Sequence, residues 1–456
     1  MSSTRLEVDL HESSRQKFKK LQKKLTKRQY KLSKSEAENP KIPAPDLFVG
    51  LEPSNEPHAK EDDILAFPSI SECAVHLELL QCFFVLKQHI LKADELDPVY
   101  GIVPNHKTVT RNGKMVKLKD PTLWDRRQIK WPKFVEWAVA RFLYWRGAVE
   151  EKWSQTPAEW DFTEDDLPPL DVLMVWHSFL LNPKMFKEHS FKTPFWKIRF
   201  PFKIIHTVIN SFAWDYCLSL KATSFFEEKT GMDAAPVEEL LRWKPLANQH
   251  HAINVFEFST NNLRHYGQIS SNDPFLASHR ILGSELSAAV IRQGDFIEKM
   301  DKKLWIRSPA LRDTLSRATT RYSQFLKLIK ANSGKMMVPT LDIDLVWHTH
   351  QLSPSHYYAD TTKLTGRYLN HDDKVVQDQL DTRFAMTRDQ YRIRFGKEYQ
   401  VCGCWDCEAL LSAIRNVPVG TMPDEKYLGK VYEEVLYFKA IESARRNKQP
   451  LPIGHG

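Results

Sequence analysis

Glycine is scarce in this chain, with 16 in 456 residues, and the motifs that depend on it are missing. There is no Gly-x-x-x-x-Gly-Lys-[Ser/Thr] phosphate loop, Gly-x-Gly-x-x-Gly turn or Gly-x-Ser-x-Gly elbow, nor a His-Glu-x-x-His pair. Their absence removes the commonest nucleotide-binding and hydrolase classes. Cysteine is sparse too: six, unevenly placed, are too few for a disulfide scaffold. The N-terminus lacks the apolar core of a secretory signal. An intracellular, reducing compartment is therefore expected, cytoplasmic or nuclear. The longest apolar stretch with motif character, Val172 to Leu181, is too short for a bilayer and contains His177, so no transmembrane segment is expected. Alternating strand patterns are also few, which points to a mainly α fold.

The formal net charge of +8 is local. Residues 1–34 carry eleven Lys/Arg against three Asp/Glu, leaving 54 of each sign in the rest of the chain. The molecule reads as a neutral body with a basic arm, disordered or helical. In that arm Phe18, Leu21 and Leu25 fall at helical spacing among Lys19, Lys20, Lys23, Lys24, Lys27 and Arg28. Such a pattern suits a nuclear signal, an anionic surface or RNA, and equally a solvated extension. A Pro-rich linker follows over 35–60.

What is present in abundance is one motif written twice, 171 residues apart. The first copy runs Pro168, Leu170, Asp171, Met174, Val175, Trp176, His177, Ser178, Leu181, Pro183. The second runs Pro339, Leu341, Asp342, Leu345, Val346, Trp347, His348, Thr349, Leu352, Pro354. Upstream, Ala138, Arg141, Phe142 and Trp145 echo Ala318, Arg321, Tyr322 and Phe325 at helical spacing. An internal duplication is expected, each half supplying an aromatic helix and a Trp-His helix. The domains expected are 1–60 (arm and linker), 61–235 (first half) and 236–456 (second half). Helices are expected from Pro68, over Trp131–Trp145, Val208–Leu220, Val237–Trp243, Pro274–Ile281, Ser284–Lys303, Ser308–Lys330 and Glu425–Arg446, with a hairpin at Asn112-Gly113.

Positions shared by both copies, Asp171/Asp342, Trp176/Trp347, His177/His348 and Pro183/Pro354, suit architecture. On that reading the Trp packs across a seam between the halves, the His donates to a backbone carbonyl or to the Asp, and the prolines bound the helices. Positions peculiar to the second copy suit a specialised role, and here Asp344, His350 and His356 replace Leu173, Phe179 and Met185. Pro339-Thr340 is a natural helix start, with Thr340 as cap. Asp344 and His348 then stand one turn apart, where a carboxylate orients an imidazole, and both are candidate catalytic groups. With His350, His371 and Asp373 they form the densest set of metal-type ligands, suited to zinc or iron. His348 and His350 diverge on a continuous helix, so both ligate only if the helix ends between them. His206, His250, His251 and His265 stand apart from that set in the sequence. Near the C-terminus Cys402, Cys404 and Cys407 hold half of all cysteines in six residues, a thiolate metal site or redox pair lacking a fourth ligand unless Cys217 or a His supplies one. A jelly-roll oxygenase would need His371-x-Asp373 and a later histidine, for which only His455 remains, on strands the pattern does not supply.

The block Leu341-Asp342-x-Asp344-Leu345-Val346-Trp347-His348-Thr349-His350-Gln351, with Pro354, Tyr357 and Tyr368-Leu369-Asn370-His371-Asp372-Asp373, resembles the glycine-rich domain-containing protein family. The earlier Trp176-His177 block fits the same family, and the resemblance covers about residues 68–410. Plant members of similar sequence are linked to RNA recognition and to stress and developmental responses. This chain lacks their glycine-rich tail and looks more like the fungal branch, in which a Cys/Trp-rich ending similar to Cys402–Cys407 is common. The expected function is a binding or scaffolding module with an unidentified protein partner, whose second half is a candidate to hold zinc or iron. Two alternatives stay open: an Fe(II)/2-oxoglutarate-dependent, sulfonate dioxygenase-like enzyme with His348, His350, His371 and Asp373 on the metal and Asp344 orienting them, and an RNA-associated regulatory protein. Whether the chain is an enzyme is left open.

Overall fold

The structure, a computed structural model, describes residues 16–17, 19, 32–33, 43–51, 67–105, 108–111, 114–155, 162–242, 278–371, 377–418, 421 and 423–452. The chain is mainly α, with 70% of the described residues helical, in line with the shortage of alternating patterns. Among the described residues the sheet content is three two-stranded antiparallel pairs. No helix there is long and apolar enough to cross a membrane. Of the arm's candidate cations, Lys19 is described and exposed; Lys20, Lys23, Lys24, Lys27 and Arg28 lie outside the described residues, as do His250, His251, His265, Asp373 and His455.

In chain order the first elements are β1 (Leu32–Ser33), α1 (Ile70–Lys92), β2 (Thr108–Arg111), β3 (Lys114–Lys117), α2 (Leu123–Arg127), α3 (Lys130–Gln155), α4 (Leu170–Leu180), α5 (Pro183–Ser190), α6 (Pro194–Lys197) and α7 (Phe202–Val208). Then come β4 (Ile209–Asn210), β5 (Asp215–Tyr216), α8 (Leu220–Thr230), α9 (Pro236–Arg242) and α10 (Arg280–Lys303). The remainder is α11 (Leu311–Ala331), α12 (Leu341–Gln351), α13 (Pro354–Thr365), α14 (Gln377–Phe395), α15 (Trp405–Arg415), α16 (Glu425–Arg446) and β6 (Leu451–Pro452).

The chain divides into two compact units, one of residues 1–78 with 299–456 and the other of 79–298, and the division runs through α1 and α10. The expected boundary at 235/236 falls inside the second of these units.

Local signals account for the helix ends. Ser69 and Glu72 cap α1 reciprocally: Glu72 N donates to Ser69 Oγ (3.1 Å) and Ser69 N donates to Glu72 Oε2 (2.8 Å). Ser219 and Asp424 accept from Ala222 N and Tyr427 N to start α8 and α16. The expected helix over Val208–Leu220 is not formed. The helix stops at Val208, and Ile209–Asn210 pairs with Asp215–Tyr216 around Trp214, which has φ +62°. Asn112-Gly113 lies outside the described residues, but the strands flanking it pair, Arg111 opposite Lys114.

In unit 79–298 the core is aromatic: Trp176 on α4 contacts Trp145 (5.4 Å between centroids), Phe162, Phe195 and Phe200. In the other unit Trp347 on α12 packs on Phe325 of α11 at 5.5 Å. Each motif tryptophan packs against aromatic residues of its own unit.

Candidate metal centre

Two helix pairs, α3 with α4 and α11 with α12, share a set of contacts. Arg141 Nε donates to Asp171 Oδ2 at 2.7 Å, and Arg321 Nε donates to Asp342 Oδ2 at 2.6 Å. Ser178 Oγ returns to Met174 O (2.9 Å) and Thr349 Oγ1 to Leu345 O (2.7 Å). Phe179 meets Phe142 and Phe186 edge-on (6.0 and 4.8 Å), and His350 meets Tyr322 and Tyr357 edge-on (5.8 and 5.1 Å). The motif aspartates thus serve the arginines, not the histidines, in both pairs. The reason is charge: Arg141 and Asp171 are fully buried, and each needs an opposite charge there. The arginines stood in the upstream echo, and their common position opposite a common Asp was the signal in the sequence. Thr340 is the N-cap residue of α12 but makes no cap hydrogen bond; its hydroxyl accepts from Arg321 Nη2 at 3.0 Å.

His350 is thereby removed from the ligand set. It occupies the place of Phe179, with Nδ1 on Tyr322 Oη at 2.9 Å and Nε2 on Asp360 Oδ2 at 3.2 Å. Helix α12 continues to Gln351 and keeps its ring away from His348. His177, fully buried, sits edge-on to Phe83. Pro183 and Pro354 each open the next helix, α5 and α13. His356 lies on α13, half-buried, and His206 on α7.

Asp344, His348 and His371 do converge. Asp344 Oδ1 lies 3.4 Å from His348 Nε2 and 3.2 Å from His371 Nε2, and the two Nε2 atoms are 3.2 Å apart. Asp344 and His348 meet because they are one turn apart on α12. His371 arrives from the segment after α13, held edge-on against Trp347 at 4.9 Å. Tyr357 anchors both sides of that segment: its hydroxyl accepts from Trp347 Nε1 (2.8 Å) and donates to Leu369 O (3.1 Å). Burial lowers the His348 pKa to about 4, with Asp344 opposing and His371 adding to the shift, so its imidazole is neutral at pH 7. Burial raises the Asp344 pKa, but His348 in its charged form, His371 through hydrogen bond and charge, and the charge of Lys299 lower it further, so the group is a carboxylate at pH 7.

The triangle has the size a metal requires. Donors about 2.0–2.1 Å from a tetrahedral zinc stand roughly 3.3–3.4 Å from one another. Three such donors leave the fourth position open, the pattern of sites that bind water or substrate. Trp347, whose ring packs on His371, borders a cavity of about 390 Å³ that is also lined by Ile329, Lys335, Met336, Met337, Arg367 and Leu369, and by none of the three triad residues.

Cys402, Cys404 and Cys407 also come together, their sulfurs within 4.8 Å of one another. Hydrogen bonding from Cys407 and Cys402 lowers the Cys404 thiol pKa, and its bond to Cys404 raises that of Cys407. Cys217 is exposed and belongs to the other unit.

Comparison with known proteins agrees with the Trp-His block. Residues 243–360 match the family model described as "Glycine-rich domain-containing protein-like". Two Arabidopsis thaliana proteins are similar to this chain: Glycine-rich domain-containing protein 2, 30% identical over 266 residues, and Glycine-rich domain-containing protein 1, 29% identical over 265. Each alignment covers 56% of this chain and 28% of the relative, so the chain spans less than a third of the length of the curated relatives it matches. No solved structure matches. The glycine-rich domain-containing protein-like region includes Asp344 and His348 and stops before His371.

Proposed function

We propose that this glycine-rich domain-containing relative is a binding module that holds a divalent transition metal at Asp344, His348 and His371, with the fourth position facing a ligand. The observation that carries this reading is the near-equilateral triangle of two imidazole nitrogens and one carboxylate oxygen, 3.2–3.4 Å on a side. Imidazole and carboxylate together suit zinc and iron. The adjoining cavity combines apolar walls with Lys335 and Arg367, which suits a ligand with an apolar body and an anionic group. The two copies of the sequence motif support the same reading: where the first copy has Leu173, the second has Asp344, and among the described residues the triad belongs to the second copy alone.

The test is metal content in a Cys402→Ser/Cys404→Ser/Cys407→Ser background, which leaves the triad as the metal site in question. One equivalent of zinc or iron, lost in His371→Ala and in Asp344→Asn, is the expected result. Metal retained in both variants, or none bound on titration of the chelator-treated protein, refutes the assignment. A second reading draws on the same donor set, since two imidazoles and one carboxylate are the ligands of non-haem iron(II) oxygenases. Stoichiometric iron together with 2-oxoglutarate consumption would select it, while zinc with no turnover selects the binding module.

A further inference from the structure

The three cysteines take no part in the Asp344 triad, and the loop that presents them is a built structure. Gly403 has φ +65°, and a Cβ there would meet Trp305 Cζ2 at 3.0 Å. The indole of Trp305 donates to Gly403 O at 2.7 Å, Lys303 Nζ donates to Cys402 O at 2.6 Å, and Trp405 Nε1 donates back to Lys303 O at 2.8 Å. Cys404 is the N-cap residue of α15, its carbonyl accepting from Glu408 N at 2.9 Å. These bonds fix the backbone at Cys402, Gly403 and Cys404, and the first turn of α15 then brings Cys407 round to them. The result is three sulfurs within 4.8 Å, two half-buried and one exposed. Thiolates about 2.3 Å from a tetrahedral ion stand roughly 3.7–3.8 Å apart, a spacing that small side-chain rotations reach from here.

The donor set is all sulfur. The oxygen ligand nearest in sequence, Asp406, is drawn to Lys439 Nζ at 2.7 Å. Sulfur ligands select soft ions over magnesium, calcium or manganese. Three thiolates carry three negative charges, so a divalent ion leaves one and a monovalent ion two. Lys303 and the positive end of α15 are the local compensation, which favours the divalent case.

We propose that Cys402, Cys404 and Cys407 form a trithiolate site for a thiophilic divalent ion of the zinc class, with the fourth coordination position open to an outside ligand. Binding forms three metal–sulfur bonds and releases the thiol protons to solvent, with no change of oxidation state. A two-thiol redox pair would need only Cys404 and Cys407; the third sulfur is what separates the two chemistries.

The experiment uses the full chain carrying His371→Ala, reduced and stripped with chelator, and titrated with Co(II) as a spectroscopic stand-in for zinc. Imidazole and carboxylate ligands give no sulfur-to-cobalt charge-transfer band, so the band reports this site alone, and failure here is independent of the fate of the Asp344 site. The expected result is one equivalent bound, a charge-transfer band displaced by Zn(II), and a weaker site in each of Cys402→Ser, Cys404→Ser and Cys407→Ser. Each loss should reach at least the roughly 10–100-fold that removal of an outer-shell partner costs. Cys217→Ser should keep the band, and circular dichroism should show all variants folded. A band unchanged by Cys402→Ser overturns the proposal, as does a reduced protein that gives no band. Reversible Cys404–Cys407 disulfide formation in a chain that binds no metal would assign the redox pair instead.

Discussion

At the scale of single residues, chemistry separates groups that look alike in sequence. His348 and His350 are two positions apart on one helix, yet one faces Asp344 and His371 and the other faces Tyr322 and Asp360. Helical geometry alone foretold that they diverge; which of them would meet His371 was beyond it, since that depends on the path of the chain after α13. Trp347, 6% exposed and bonded to Tyr357, is architecture as well as the cavity wall. Trp347→Ala should cost about 3–5 kcal/mol as a buried large-to-small change, measured by denaturant unfolding. Trp347→Phe, which keeps most of the packing and loses the bond to Tyr357, should cost less. The Arg141–Asp171 pair, fully buried, gives a sharper test: Arg141→Met leaves an unpaired buried carboxylate and should cost about 3–5 kcal/mol. Adding Asp171→Leu should recover part of that loss.

At the scale of elements, the Trp-His helices and the aromatic helices were legible because their spacing is helical and their motif is repeated. What the pattern hid was the partner of each motif aspartate, since an ion pair between α3 and α4 joins residues 30 positions apart. The β4–β5 turn was hidden too, because the apolar residues near Val208 mimic a helical face while Ile209 pairs with Tyr216. The loop from Cys402 to Cys404 carries its own prediction. Gly403→Ala should cost about 1–2 kcal/mol for left-handed backbone, with crowding of Trp305 on top, and should weaken cobalt binding at the cysteines. Between α1 and α3, Asp97 is buried against Arg127 and Lys130, with Arg127 Nε at 3.0 Å from Oδ1. Burial pushes its pKa up, but the hydrogen bonds from Arg127 and Lys130 pull it down further, so the folded value is below the unfolded one. Its stabilisation is complete above the unfolded pKa of about 3.9 and is lost as pH falls through the folded value. Asp97→Asn should therefore be less stable than the parent at pH 7, and the gap should close on acidification below about pH 4, as denaturation at a series of pH values would show.

At the scale of the whole molecule, the metal proposal predicts ligand-linked stability. Zinc at a hundred times its dissociation constant should add about 2.7 kcal/mol to the unfolding free energy, and chelator should remove it. A melting temperature indifferent to zinc and chelator would argue against both metal sites. The mainly α class and the paired Trp-His helices, together with the match of residues 243–360 to the family model, were already contained in the amino-acid order, because helical periodicity and a repeated motif are local properties of the chain. Which candidate donors come together was decided only by tertiary structure. His371 reaches Asp344 across 27 residues and His348 across 23 because Tyr357 and Trp347 hold its segment, and the same packing turns His350 into a ring of the core. A ligand set is a matter of distances of a few ångströms between side chains remote in sequence, and only the packed chain sets those.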